Sequence, residues 1–494
     1  MTERNELELD AETMRRLGYR VVDLLVERLA NLDGSPAWRA GDRAELERAL
    51  RRPPPDSPVD FDVILESLAR DALPHGGSVD HPRFFGFVPG SPTWPGILGD
   101  LIAAGYNVFQ GSWLGGSGAS EIELIVLDWF KGWVGYPDDA SGLFTSGGSA
   151  ANLTAIALAR QLRFGGHDDR AVIYMSTESH SSCDRAARIL GFRPDRVRRL
   201  PVDDAFRLDL DAFRHAVAAD RAAGLEPFFA IANGGATSTG AIDPLRGLSK
   251  LCAREQVWLH VDAAYGGFAV LTDRGLSALD GLGLADSMTL DPHKWLYQPF
   301  EAGCLLVRNG PDLERAFRVL PDYLQDAAIA EGDNREQPVN FMDRGIQLTR
   351  SARAIKVWIS LQYFGVDAFR ATIDRTIDLA AFAEQRLRAS GRFEILSPAT
   401  LGVVCFRRID DDGGRVRDEA RLDAINAQLL RRLCDSGFAL MSSTRVRNRY
   451  SLRFCILGHR TRRADVERTI EWLENSPVTT LPEAGGVGPV PASG

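Results

Sequence analysis

Apolar positions in the first thirty residues recur every three or four places, which predicts an amphipathic helix that begins after Asp10. A proline-rich stretch at 52–58 then predicts a stiff linker, and a second short helical pattern covers 61–72. Two helices cannot form a core alone, so we expect them to pack on the rest of the chain or on a second subunit.

From about residue 95 to 365, continuous apolar runs alternate with helical patterns. The runs predict strands at 142–145, 171–175, 228–232, 257–261, 287–290 and 304–307. Because these runs are apolar throughout, both faces of the sheet should be covered by helices. The pattern therefore predicts an α/β fold with a mostly parallel sheet.

Shorter elements of both kinds follow residue 365, which predicts a small α+β domain. Helices are predicted at 371–389 and 421–434, strands at 393–396, 403–407, 438–442 and 450–456, and a closing helix through Trp472. The chain is thus divided into an N-terminal helical segment (1–94), a large α/β domain (95–365), a small α+β domain (366–475) and a disordered tail (476–494).

Composition narrows the class of function. The 494 residues are 45% hydrophobic and 25% charged, as in globular proteins, and the net charge of −9 argues against a nucleic-acid partner. An acidic, polar N-terminus and the lack of an apolar run of ~20 residues predict a cytoplasmic protein without membrane association. The six cysteines are scattered without metal-ligand spacing, so we expect reduced thiols and no metal site.

A lysine and a carboxylate follow neighbouring predicted strands. Lys294 stands in Asp291-Pro292-His293-Lys294-Trp295, and Asp262 ends the run roughly one βαβ unit earlier. A lysine with a buried stem can act covalently, and a carboxylate opposite a pyridine nitrogen keeps that ring protonated. The pair suits pyridoxal phosphate. Taken singly, Lys294 also fits a surface lysine and Asp262 a capping residue.

A glycine-rich turn, Gly147-Gly148-Ser149, lies between a predicted strand and a predicted helix. Free backbone N–H groups there can cradle a phosphate, although an ordinary strand-to-helix turn has the same appearance. The two common nucleotide-binding glycine motifs are absent. His180 could stack on a cofactor ring or be a loop histidine, and His293 could contact the phosphate or be structural.

In their order along the chain, these pieces resemble the pyridoxal-phosphate-dependent group II amino-acid decarboxylases of the aromatic-L-amino-acid decarboxylase type. The resemblance covers about 10–473 and rests on the segments 81–87, 149–152, 180–182, 260–265, 291–295 and 452–454. It implies a fold type I, aspartate-aminotransferase-like architecture with a seven-stranded-type sheet. It also implies a homodimer with sites at the interface and N-terminal segments wrapped across it.

The resemblance also assigns site residues. Lys294 would hold the cofactor as a Schiff base, and Asp262 would pair with the pyridine nitrogen. Ala264 and His180 would lie on the two ring faces, and Thr237 would be a further cofactor contact. The phosphate would be surrounded by Gly148, Ser149, Asp291 and His293. Asp291 stands where the look-alikes have asparagine, and a second negative charge near a phosphate should repel it.

Tyr323 is the residue on which the predicted reaction type depends. Its phenol is protonated at neutral pH and can donate a proton to the carbon that loses carbon dioxide, whereas phenylalanine at this place in relatives favours aldehyde formation. The surrounding stretch 322–340 is rich in Asp, Gly, Glu and Pro, which fits either a mobile lid or a plain surface loop.

An apolar substrate pocket is predicted from Phe87, Val88, Pro89, Gly90, Phe109 and Trp113. Gly90 replaces a threonine of the family and Gly111 a phenylalanine, so the side-chain preference of the pocket stays open. We expect decarboxylation of an L-amino acid, aromatic as first choice, to an amine. Alternatives are oxidative deamination to an aldehyde, transamination, a substrate such as glutamate or 2,4-diaminobutyrate, and a catalytically silent scaffold.

Overall fold

The structure is a computed structural model that describes residues 6–88, 90–319, 338–409 and 418–477. Pro89, Tyr323, most of the predicted lid and all but the start of the predicted tail lie outside these residues. None of the helices in these four ranges is long and apolar enough to cross a bilayer.

Residues 6–88 contain three α-helices rather than the two predicted. Helix α1 (Ala11–Ala30) begins after Asp10 as predicted, because the Asp10 carboxylate accepts a 2.8 Å hydrogen bond from Thr13 N. The other helices are α2 (Arg43–Leu50) and α3 (Phe61–Ser67), with a π-helical turn at Leu68–Ala72. Two short strands, β1 (Trp38–Arg39) and β2 (Gly76–Gly77), pair with each other. No residue of α1 is fully buried: most of its apolar residues are half-buried, and Met14, Tyr19 and Val26 are exposed.

A third short strand, β3 (Phe84–Phe85), and two helices, α4 (Trp94–Tyr106) and α5 (Trp113–Val134), lead into the large sheet. Its strands are β4 (Ser141–Thr145), β5 (Ala171–Ser176), β6 (Val197–Leu200), β7 (Glu226–Asn233), β8 (Trp258–Asp262), β9 (Ser287–Leu290) and β10 (Gly303–Val307). The spatial order is β4-β10-β9-β8-β7-β5-β6, and only β10 runs against its neighbours. The predicted α/β fold with a mostly parallel, helix-covered sheet is confirmed.

One helix follows each strand of the large sheet, and together these helices cover the sheet. They are α6 (Gly148–Phe164), α7 (Ser181–Ile189), α8 (Leu210–Ala222), α9 (Leu245–Glu255), α10 (Asp273–Ala278), α11 (Pro292–Trp295) and α12 (Pro311–Phe317). Strand register aligns Asn233 with Asp262, and Asp262 with Thr289. The carboxyl ends of β7, β8 and β9 therefore meet, which is where ligands bind in open α/β sheets.

The last part of the described chain has the predicted mixture of helices and strands. Its elements are α13 (Ala354–Phe364), α14 (Val366–Ser390), β11 (Phe393–Thr400), β12 (Val403–Arg408), α15 (Glu419–Asp435), β13 (Leu440–Val446), β14 (Arg449–Cys455) and α16 (Arg463–Asn475). The sheet order is β11-β12-β14-β13-β3, so the N-terminal strand β3 adds to its edge, parallel to β13. The sheet therefore joins a strand of the predicted N-terminal segment to strands of the predicted small domain. The division into four parts stays a prediction.

The cysteines are spread through the described chain. All six cysteines are unpaired, and five of them are buried. Burial raises the pKa of the Cys183 and Cys252 thiols, so they stay protonated at neutral pH. Within the described ranges, no cluster of three His, Cys, Asp or Glu residues is placed to hold a metal ion.

Candidate active site

A cavity of ≈ 300 Å³ opens at the edge where β7, β8 and β9 end. The structure brings together there every residue that the sequence analysis assigns to the cofactor. These residues are Gly148, Ser149, His180, Thr237, Asp262, Ala264, Asp291, His293 and Lys294. They come from five separate stretches of chain, so their convergence depends on the strand order.

Lys294 reaches the cavity from the short helix α11, directly after β9. Its Nζ lies 3.0 Å from Asp291 Oδ2, and 23% of its side chain is exposed. The next residue, Trp295, is fully buried and stacks on Tyr265 with ring centroids 5.1 Å apart. Aromatic packing behind the lysine therefore fixes the backbone while the amine stays accessible.

Gly90 lies against the backbone of Lys294 from the opposite side. A Cβ atom at Gly90 would stand 1.7 Å from the carbonyl oxygen of Lys294, and Gly90 N donates to His293 O at 3.4 Å. Only glycine permits this approach. The packing accounts for glycine where the resemblance leads one to expect threonine.

The start of α6 faces the same cavity without a capping side chain. Its N-cap is Gly147, and none of the described side chains accepts from the first turn, in contrast to α4, where Thr93 accepts from Gly96 N. The first N–H groups and the helix dipole are thus left to attract an anion. A Cβ at Gly148 would lie 3.0 Å from Asp291 Oδ2 and 3.1 Å from Ala264 Cβ, so the turn is tightly packed.

Asp291 and His293 complete this end of the cavity. Asp291 is 1% exposed, and its Oδ1 has no hydrogen-bond partner among the described residues. Burial lowers the pKa of His293, although the nearby Asp291 acts in the opposite direction, and His293 Nδ1 accepts from Ala302 N at 3.2 Å. A buried carboxylate oxygen without a partner indicates a site built to gain one.

Asp262, the last residue of β8, is the other carboxylate that lines this cavity. Its Oδ2 accepts from Asn152 Nδ2 at 2.9 Å, and its Oδ1 accepts from Ala264 N at 3.3 Å. These two donors and the Cys183 thiol, whose Sγ lies 3.9 Å from Oδ2, are all neutral, so none of them offsets the negative charge of the carboxylate. Such a charge is complementary to a protonated pyridine ring.

His180 is the N-cap of α7 and is held through one ring nitrogen. Ser182 N lies 3.2 Å and Ser182 Oγ 2.9 Å from His180 Nδ1. Desolvation in the cavity lowers the pKa of His180, and the nearby Asp262 opposes that shift. A neutral imidazole at the cavity mouth can stack on a flat ring and donate a hydrogen bond from Nε2.

The predicted substrate pocket stays a prediction, and its described members lie away from the lining of the Lys294 cavity. Phe109 instead lines a separate cavity of ≈ 590 Å³ with Phe300 and Lys356. A Cβ at Gly111 would lie 2.4 Å from Phe109 Cζ. The Phe109 ring thus takes the space that a side chain at 111 would need. The remaining described members are Phe87, Val88, Gly90 and Trp113.

Further cavity residues received no role from the sequence. They are Ser146, Gly147, Ala150, Asn152, Ser182, Asn233, Gly235 and Tyr265. One signal pointed to Asn152, because it stands three residues after Ser149 and so shares a helix face with it. Nothing in the sequence indicated its partners, which follow from the strand register.

These features fit pyridoxal phosphate. An uncapped helix start suits its phosphate, the accessible Lys294 amine suits its aldehyde, and the Asp262 carboxylate suits its ring nitrogen. The fold and the cavity together define a pyridoxal-phosphate enzyme. The chain belongs to the pyridoxal-dependent decarboxylase family, whose conserved domain matches residues 45–409.

Relatives extend over almost the whole chain. An aromatic-L-amino-acid decarboxylase of Bacillus atrophaeus is 40% identical over 92% of this chain and 93% of its own. A phenylacetaldehyde synthase of Petunia hybrida is 33% identical over 91% of each chain. The crystal structure of Oryza sativa TDC with PLP and tryptamine has a TM-score of 0.90, is 28% identical, and covers 95% of this chain and 98% of its own. The protein is therefore a carboxy-lyase with pyridoxal phosphate as cofactor.

Proposed function

We propose that this chain converts an aromatic L-amino acid into the corresponding amine and carbon dioxide. The observation that carries the proposal is the convergence of Lys294, Asp262 and the uncapped start of α6 on one cavity. The aromatic class is supported by relatives named for aromatic amino acids, such as the aromatic-L-amino-acid decarboxylase of Bacillus atrophaeus.

Each site residue then has a task. Bound pyridoxal phosphate supplies an electron sink for the bond to the departing carboxylate. Lys294, whose amine is accessible in the cavity, would hold the cofactor covalently. Asp262 keeps a proton on the ring nitrogen, because its uncompensated charge favours the protonated ring. His180 and Ala264 line the cavity and would contact the ring, and His180 would donate from Nε2.

The anion end of the cavity is assigned to the phosphate. Gly148 and Ser149 offer backbone N–H groups at the start of α6, where the helix dipole favours negative charge. His293 and Thr237 supply neutral contacts. Asp291 acts through Lys294, whose amine it holds at 3.0 Å. Tyr323, outside the described residues, stays predicted as the proton donor to the substrate carbon.

Absorbance and product analysis test the proposal together. Lys294→Ala should abolish both turnover and the visible absorbance of the bound cofactor, whereas Lys250→Ala, a change on α9 away from the cavity, should leave both intact. Retention of either property in Lys294→Ala would contradict the covalent role. The assay should use several aromatic amino acids with His, Glu and 2,4-diaminobutyrate as comparisons.

Aldehyde formation is the second candidate, because a phenylacetaldehyde synthase is among the relatives. An amine with carbon dioxide as products supports decarboxylation; aldehyde, ammonia and hydrogen peroxide support the alternative. Tyr323→Phe should raise the aldehyde share. An unchanged product ratio in Tyr323→Phe would remove the proton-donor role from this residue.

We also propose a homodimer with active sites at the interface. The exposed apolar residues of α1, α4 and α5 support it: Met14, Tyr19, Val26, Leu101, Ile102, Tyr106 and Leu114. Phe109, predicted for the substrate pocket, lines a different cavity in its own chain, as a residue supplied to a second copy would. A cytoplasmic location stays a prediction from the sequence.

Light scattering after size exclusion tests the dimer. Tyr106→Glu should yield an inactive monomer, because it puts a charge on an 81%-exposed apolar residue of the proposed interface. Ile189→Glu, an equivalent change on α7 at a residue that is 64% exposed, should leave an active dimer. An active wild-type monomer would refute the proposal.

A further inference from the structure

The side-chain amide of Asn152, in the second turn of α6, uses its full hydrogen-bonding capacity on buried partners. Its Nδ2 donates to Asp262 Oδ2 and to Ser182 Oγ, each at 2.9 Å. Its Oδ1 accepts from Thr289 Oγ1 at 2.7 Å and from His260 Nε2 at 3.0 Å. Two donors and two acceptor positions are all that a carboxamide has, so its orientation is fully specified.

That orientation is fixed from the Asp262 end of a hydrogen-bond chain. The Asp262 carboxylate can only accept, so Nδ2 of Asn152 must face it and Oδ1 must face His260 Nε2. Because Oδ1 can only accept, the hydrogen of His260 is on Nε2, and His260 Nδ1 accepts from Ser287 Oγ at 2.8 Å. Ser287 Oγ in turn accepts from the Trp258 indole at 2.8 Å.

His260 is neutral in this chain. Its side chain is 0% exposed, and burial lowers its pKa to about 4. A neutral imidazole with its hydrogen on Nε2 is a donor toward Asn152 and an acceptor toward Ser287, as the neighbouring groups require. The chain from Trp258 to Asp262 therefore has a single direction.

A branch leads from the same amide to His180. Ser182 Oγ accepts from Asn152 Nδ2, so its own hydroxyl hydrogen is free to point at His180 Nδ1, 2.9 Å away. The N–H of Ser182 points at the same nitrogen. His180 Nδ1 is thus an acceptor, and the hydrogen of the neutral ring is on Nε2.

We propose that Asn152 is a positioning residue of the decarboxylase, which orients the Asp262 carboxylate and holds His180 as the Nε2–H tautomer. The inference rests on the proposed function, in which Asp262 serves the ring nitrogen of the cofactor. A hydrogen bond to a charged carboxylate is about twice as strong as one between neutral groups, so it fixes the carboxylate firmly. Because the amide is neutral, it orients Asp262 without adding a cation that would compete with the ring for it.

The test compares two ligands of the cofactor-free protein: pyridoxal phosphate and an analogue in which a C–H group replaces the ring nitrogen. Asn152→Leu should weaken pyridoxal phosphate binding roughly 10- to 100-fold, the worth of a hydrogen bond to a charged group. The analogue has no ring nitrogen, so its affinity should change far less. Equal weakening of both ligands, or of neither, would overturn the role at Asp262.

The His180 branch has its own readout. In cofactor-free protein with ¹⁵N-labelled histidine, the His180 ring should show one tautomer, with Nδ1 unprotonated; His180→Gln identifies the signal. In Asn152→Leu a measurable fraction of the second tautomer should appear, because the Ser182 hydroxyl is no longer directed at Nδ1 and only the Ser182 N–H still favours the first tautomer. An unchanged His180 signal in Asn152→Leu would overturn this part of the proposal.

Three further variants distinguish a failure of this inference from misfolding of Asn152→Leu and from a failure of the proposed function of Asp262. Asn152→Asp keeps the size of the side chain and, at pH 8.5, replaces the donor by an acceptor, so it should repeat the selective loss even if the leucine variant does not fold. Asn426→Leu removes another fully buried amide, in α15, and should not discriminate between the ligands. Asp262→Asn should discriminate; if it does not, the proposed function of Asp262 fails, whereas failure of the Asn152 variants alone contradicts only this inference.

Discussion

Glu123 on α5 and Arg350 form a 2.6 Å ion pair with 0% and 1% of their side chains exposed. Both side chains also bond the backbone of Phe144 in β4: Phe144 N donates to Glu123 Oε1 at 2.8 Å, and Arg350 Nη2 donates to Phe144 O at 2.8 Å. The pair thus fixes the strand that leads into the glycine-rich turn.

Removing one charge of this pair should destabilise the protein strongly. Glu123→Gln leaves the Arg350 guanidinium buried without a counter-charge, so the free energy of unfolding should fall by about 3–5 kcal/mol. Urea unfolding of the cofactor-free protein measures it. Glu47→Gln, which breaks pairs with Arg43 and Arg51 whose side chains are 88% and 77% exposed, should cost less than about 1 kcal/mol. Equal losses would contradict the importance of burial.

Gly148 should be required for cofactor binding. In Gly148→Ala the new methyl group meets Asp291 Oδ2 at 3.0 Å and Ala264 Cβ at 3.1 Å, and such overpacking costs about 1–3 kcal/mol. We expect the affinity for pyridoxal phosphate to fall about tenfold or more. Titration monitored by the visible absorbance of the bound cofactor measures this affinity. Gly132→Ala, on α5 with nothing within 4 Å of the new atom, should keep the affinity and raise stability by about 0.5–1 kcal/mol. Unchanged affinity in Gly148→Ala would speak against the phosphate cradle.

Neutralising either of the two carboxylates in the cavity, Asp291 or Asp262, should change the affinity for pyridoxal phosphate in opposite directions. Asp291→Asn removes a negative charge next to the anion end, so pyridoxal phosphate affinity should rise about tenfold. Asp262→Asn removes the charge that serves the ring nitrogen, so affinity should fall. Titration of cofactor-free protein measures both. A fall in both variants would show that Asp291 supports binding through Lys294 more than it repels the phosphate.

His459 should make the protein less stable in mild acid. Burial, assisted by the positive charge of Arg460, lowers its pKa to about 4, and its Nδ1 lies 2.6 Å from Ser91 Oγ. Because the unfolded chain binds this proton near pH 6.5, the stabilisation is present above that pH and is lost as pH falls toward 4. The loss at this residue is at most about 3 kcal/mol.

A variant isolates this effect from other titrating groups, such as Asp243, whose pKa is raised by burial to about 6 and acts in the opposite direction. The difference in unfolding free energy between wild type and His459→Gln should shrink as pH falls from 6.5 to 4.5. A difference that is constant across this range would exclude His459 as the cause.

The sequence predicted those elements whose apolar pattern is strong. Strand β9 was predicted with the bounds that the structure gives, because all four of its residues are buried. Strand β6 was missed, since it lies at the sheet edge and contains Arg198 and Arg199, whose charges hide the pattern. Helix α2 was missed because it is short and highly charged.

The cofactor residues could be named from motifs, and the structure places them around one cavity. The hydrogen bonds among these residues could not be predicted from the sequence. Asn152 and Asp262 are far apart in the chain and meet only because β8 lies beside β9 and α6 packs across them. The substrate pocket stays a prediction, because none of its described members lines the cavity around Lys294.

The pairing of β3 with β13 limits how early the chain can complete its folding during translation. Phe84 leaves the ribosome long before Leu440, its partner in the sheet. At 5–20 residues per second, translation of the intervening chain takes roughly 20–70 s. Throughout this interval the buried phenylalanines of β3 lack their neighbours, so a nascent chain of this protein should depend on chaperones until its last sheet is complete.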